Sequence, residues 1–102
     1  MQKTDKEKLS MGIKANEAHP VDVHVGNCLR KIRLDKGISQ EELAESVDLT
    51  FQQIQKYEKG LNRISCSKLY LFSSFLDTKI EYFFEGLDLN NCHTEEDRLL
   101  YA

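Results

Sequence analysis

Between Thr50 and Gly60 the chain reads TFQQIQKYEKG, with glutamines at 52, 53 and 55 and lysines at 56 and 59. A glutamine amide both donates and accepts, so on a helix it can pair with the edge of an adenine in the major groove of DNA. A lysine there donates to guanine N7 and O6, or to a phosphate. Ile54 and Tyr57 lie three residues apart, and this spacing turns them toward a core. Gln52, Gln53, Lys56 and Lys59 then point outward, with Gln55 on the flank. Phe51 stands at the helix start, placed to touch a thymine methyl. Asn62 and Arg63 follow as donors suited to phosphates together with Lys59, and Arg30 joins them if the first helix ends nearby. Glutamine is also a good helix former that solubilises a surface. The surroundings decide between the two readings.

Those surroundings are helical. Val25, Cys28, Leu29 and Ile32 recur at i, i+3, i+4 and i+7, one stripe of a helix that starts at Val21 and that Gly37 ends. Ser39, with Glu42 three residues on, predicts a capping box and a second helix whose inner stripe is Leu43, Ala44 and Val47. VDLT turns the chain. Thr50 with Gln53 repeats the box for a third helix running to Lys59, and Gly60 falls just past its end. Two short capped helices joined by a tight turn make a helix-turn-helix. Ser65 or Ser67 caps a fourth helix, striped by Leu69, Phe72, Ser73 and Leu76, with Leu71 and Phe75 as a second stripe. A fifth, short helix is expected over about 79–85. No strand-like alternation bounded by turn residues occurs, so the domain is read as all-α.

The totals bound the possibilities. A chain of 102 residues is one small domain with one modest core. No run approaches the ~18 apolar residues of a membrane helix, and the charged leader lacks the apolar middle of a secretory signal. The expected place is the cytoplasm, with the nucleoid. Cys28, Cys66 and Cys92 are an odd number at no ligand spacing, which suits reduced thiols and no metal; Cys92 and His93 are adjacent and lack a second pair. His19, His24 and His93 lie at the edges of the fold, and neither a Gly-rich phosphate loop nor a nucleophile–base set occurs, so an enzyme is the least favoured class. No cofactor or small-molecule ligand is expected. The net charge of −3 runs against nucleic-acid binding, but seven acidic residues against three basic ones fall after Ser65, and the stretch before it is slightly basic.

The segment LRKIRLDKGISQEELAESVDLTFQQIQKYEKGLNRIS closely resembles the Cro/CI-type (XRE) helix-turn-helix family. The likeness covers about residues 21–86, and the wider wording is similar to a group of bacterial transcriptional regulators. It implies a five-helix, phage-repressor-like domain over 21–86; outside it, the charged leader before Pro20 reads as a flexible N-terminal arm over 1–20, and 87–102 as a short tail that is helical or dimer-associated. It implies that Gln40 bonds a phosphate and braces a partner on the recognition helix. Gln52 and Lys56 match positions that meet base edges, and Phe51 matches a first recognition position that is often Gln in the family. Arg33 and Glu58 match an internal ion pair, and Lys59, Asn62 and Arg63 match phosphate contacts.

One recognition helix discriminates too few base pairs to find a site in a genome, so a twofold dimer on an inverted repeat is expected. Leu71, Phe75, Phe83 and Phe84 are the candidate seam; the alternative is that the tail folds back over Leu71 and Phe75 in one chain. The arm, with Lys3, Lys6, Lys8 and Lys14 against Asp5, Glu7 and Glu17, reads as disordered or as a follower of the minor groove. The expected function is sequence-specific duplex DNA binding by a transcriptional regulator, acting as a repressor by occupancy. A protein-binding antitoxin or adaptor is the rival reading.

Overall fold

The computed structural model describes residues 18–87. The calls on the arm before Ala18, on the tail beyond Leu87 and on Cys92 and His93 lie outside the described residues.

Helix α1 spans Pro20–Asp35. Proline suits the first helical position because its missing N–H would have no partner there. The His19 ring supplies the cap, its Nδ1 accepting from the Val21 N–H at 3.1 Å. The helix thus begins one residue before the sequence pattern placed it. Helices α2 (Gln40–Ser46) and α3 (Phe51–Glu58) both carry complete capping boxes. Ser39 Oγ accepts from the Glu42 N–H at 3.0 Å while Glu42 Oε1 accepts from the Ser39 N–H at 2.8 Å. Thr50 and Gln53 repeat the exchange at 3.1 and 2.8 Å. Each box satisfies two backbone donors that the first turn of a helix leaves open.

Helices of seven and eight residues are too short to persist alone, so packing must hold them. Leu29 of α1, Leu43 of α2, Ile54 of α3 and Phe72 of α4 (Cys66–Phe75, capped by Ser65) meet in the middle of the domain, each fully buried. Tyr57 lies at the edge of this core, its ring edge-on to Phe72 with centroids 6.0 Å apart. That is a structural role, as its spacing from Ile54 indicated.

The fifth element is a 3-10 turn, Ile80–Phe84, not an α-helix. The described residues therefore form four α-helices and one 3-10 turn. With three residues per turn, neighbours point far apart around such an element. Phe83 enters the core and is fully buried, whereas Phe84 is 43% exposed. Phe83 is thus a core residue of one chain and is withdrawn from the expected dimer seam. None of the described helices is long and apolar enough to cross a membrane.

Candidate nucleic-acid interface

The inner edge of α3 is fixed by a polar cluster at its C-terminal end. Arg33, near the end of α1, donates through Nε to Glu58 Oε2 at 2.6 Å and through Nη2 to Glu58 Oε1 at 3.0 Å. Its third donor, Nη1, reaches the Ile38 carbonyl in the α1–α2 connection at 2.9 Å. Gln40, at the start of α2, donates Nε2 to Glu58 Oε1 at 2.9 Å. The two charged side chains are only 8% and 3% exposed. A buried pair is tolerable when its remaining donors and acceptors are satisfied, as they are here. One carboxylate on α3 therefore ties together α1, the connection after it and α2. The expected Arg33–Glu58 pair is present, and so is the brace from Gln40.

A glycine brings α1 and α3 this close. A Cβ on Gly26 would fall 2.1 Å from the Tyr57 carbonyl oxygen, so no other residue fits between the two backbones. Past the end of α3, Gly60 has φ +76 and is buried on α1, where a Cβ would stand 2.7 Å from Val23 Cα. The loop that carries Asn62 and Arg63 thus rests on the first turns of α1. On the other side, Lys68 of α4 donates Nζ to the Val47 carbonyl at 3.0 Å, a charged cap on the C-terminal end of α2. Asp48, with φ 58, makes the turn that follows.

With the inner edge occupied, the outer edge of α3 presents Gln52 and Lys56, both exposed, and Phe51, 37% exposed. Gln53 is placed differently from the expectation. It is half-buried, and its amide oxygen accepts the Thr50 N–H, so the amide is held back at the start of α3 rather than projecting freely outward. Lys59, Asn62 and Arg63 are exposed together after α3. Arg30 is exposed in α1, but the helix continues to Asp35, more than a turn further, so the helix end that would bring it to a phosphate is not beside it. Arg63 has an acidic partner that sequence reading missed: its Nε donates to Asp22 Oδ2 at 3.0 Å. The partners are 41 residues apart, so no local spacing announces them.

Away from this edge, Cys28 Sγ and His24 Nε2 lie 3.5 Å apart on α1. Burial pushes the Cys28 thiol above its ordinary range, more than Lys31 lowers it, and Glu85 adds to the rise. A thiol held protonated is a packing residue rather than a nucleophile. Burial likewise raises the Tyr82 phenol, with Cys28, Asp35 and Glu85 adding to it. Among the described residues no three histidines, cysteines or carboxylates gather where they could hold a metal ion.

Two short, boxed helices, a left-handed turn between them and an outward polar edge define a helix-turn-helix domain. The family model described as helix-turn-helix matches residues 29–83, more than half of the chain. An HTH-type transcriptional regulator of Rickettsia conorii is 44% identical over 93 residues, covering 87% of this chain and 74% of the relative. One from Sinorhizobium medicae is 51% identical over 67 residues, and the chain spans 48% of its length. Among solved structures, the clp gene regulator ClgR of Corynebacterium glutamicum aligns with a TM-score of 0.61 at 25% identity, over 63% of this chain and 83% of that one. The restriction-modification controller protein C.AhdI of Aeromonas hydrophila aligns at 0.58 with 31% identity, over 61% and 94%. The chain belongs to the Cro/CI-type helix-turn-helix family of DNA-binding transcriptional regulators. Its class is that of regulators, not enzymes.

Proposed function

We propose that this chain is a dimeric, sequence-specific reader of duplex DNA that represses transcription by occupying an inverted-repeat operator. The observation that carries the reading is the division of α3 into a clamped inner edge, Ile54 and Glu58, and an exposed outer edge, Gln52 and Lys56. A helix held in this way can enter a major groove with its side chains already placed, so little ordering remains to be done on binding. Gln52 and Lys56 read base edges, Phe51 meets a thymine methyl, and Gln40, Lys59, Asn62 and Arg63 bind phosphates.

The partner in the dimer is a second copy. Leu71 and Phe75, 42% and 44% exposed, lie four apart on one side of α4, and Ile80 and Phe84 of the 3-10 turn after it are 38% and 43% exposed. Large apolar side chains left exposed in this way are what a self-complementary interface buries.

Selection of bound duplexes from a random library tests the reading, with wild type compared with Gln52→Ala combined with Lys56→Ala. The expected result is an inverted repeat with half-sites about ten base pairs apart, lost or blurred in the double variant. Sedimentation of Phe84→Asp should show monomer where wild type shows dimer. Failure of wild type to enrich any sequence would overturn base reading and favour a protein partner.

A further inference from the structure

Among the cations assigned to phosphates, Lys59 and Arg63, only Arg63 is ion-paired among the described residues. The two sides of its pair are unequally buried. The Asp22 side chain is 17% exposed and the Arg63 side chain 73%. Asp22 is the anchored member, set in the first turn of α1, where a carboxylate complements the helix dipole. Arg63 is the reaching member. It meets Asp22 through Nε, and the loop beneath it is fixed on α1 by the close approach of Gly60 to Val23.

We infer that the Asp22 carboxylate stands in for a DNA phosphate in the free protein, and that duplex binding exchanges the carboxylate oxygen for a phosphate oxygen on the Arg63 guanidinium. The inference rests on the phosphate role given to Arg63 above. Carboxylate and phosphate oxygens accept from the same planar fork of donors, so the two compete for one partner. The pair is open to solvent on its Arg63 side and hence weak, so the competition lowers affinity without preventing binding. A paired arginine also brings no net charge to the phosphate run, so it contributes less counterion release than a free one. After the exchange the bare carboxylate remains beside the duplex and opposes it. Asp22 is thereby an affinity-limiting residue built into α1, outside the recognition helix.

The test is a titration of a fixed, arbitrary-sequence duplex at several salt concentrations with wild type, Asp22→Asn, Arg63→Gln and the double variant. Thermal unfolding in the same buffers establishes that each is folded, and Asp22→Ser serves if the asparagine variant is not. Asp22→Asn is expected to tighten binding about two- to fivefold, the range a surface pair of this kind commands. It should also steepen the log–log salt slope by about one. Arg63→Gln should weaken binding, and in that background the gain from Asp22→Asn should shrink by at least half. Unchanged or weaker binding by Asp22→Asn overturns the exchange, as does an equal gain in both backgrounds, which would make Asp22 a general negative charge. Arg63→Gln binding as tightly as wild type would instead overturn the phosphate role of Arg63, and the exchange with it.

Discussion

The domain contains two arginine–carboxylate pairs that link α1 to the end of α3 or the loop after it, and burial separates their consequences. Arg33 and Glu58 are joined by two hydrogen bonds at under 10% exposure. Arg63 and Asp22 share one bond at the rim. In the first, water cannot replace a missing partner, so the pair acts as a single unit with Gln40 and the Ile38 carbonyl around it. In the second, water and salt compete at every moment, and either member remains open to another ligand. The same functional groups therefore make a fixed joint in one place and an exchangeable contact in the other.

The largest effect should come from breaking the joint. Glu58→Ala leaves the Arg33 guanidinium buried without its counter-charge, and urea unfolding should show a loss of about 3–5 kcal/mol. A loss below about 1 kcal/mol would mean that the pair behaves like the rim pair, and the comparison would fail. Gly26→Ala approaches the same joint without touching a charge. In an exposed helix this change is worth roughly 1 kcal/mol of added stability. Here the methyl would collide with the Tyr57 carbonyl, so a net loss of about 1–3 kcal/mol is expected. A stabilised Gly26→Ala protein would show that α1 and α3 separate at little cost. The smallest effect belongs to the rim. Asp22→Asn should change stability by no more than about 1 kcal/mol, since it loses one exposed pair and a favourable dipole contact. Its larger signature should appear in duplex titrations rather than in unfolding curves.

What the sequence disclosed follows the range of the interaction. Both capping boxes were legible because each is complete within four residues, Ser39 to Glu42 and Thr50 to Gln53. The core stripes were legible because 3.6-residue periodicity puts Leu29, Leu43, Ile54 and Phe72 on inner faces whatever the detailed packing. Arg33 and Glu58 were reached through family likeness, as their 25-residue separation carries no local signal. Asp22 and Arg63 had neither aid and went unread. Phe83 failed for a different reason: adjacent residues point to different sides of any helical turn, α or 3-10, so Phe83 and Phe84 could not share one apolar face, and Phe83 is the one the core takes. Gln53 was legible as the closing member of a capping box, and its amide oxygen accepts the Thr50 N–H as that spacing indicated.

The partition of α3 also bears on how such a protein changes over generations. Every inward residue of the helix answers to a fixed neighbour: Ile54 to the core, Tyr57 to Phe72 and Glu58 to Arg33. Among the described residues, neither the Gln52 nor the Lys56 side chain makes a hydrogen bond or ion pair. A lineage is therefore free to rewrite those two letters one at a time, with the scaffold indifferent to the edit. New preferences can be tried without the fold first having to be rebuilt.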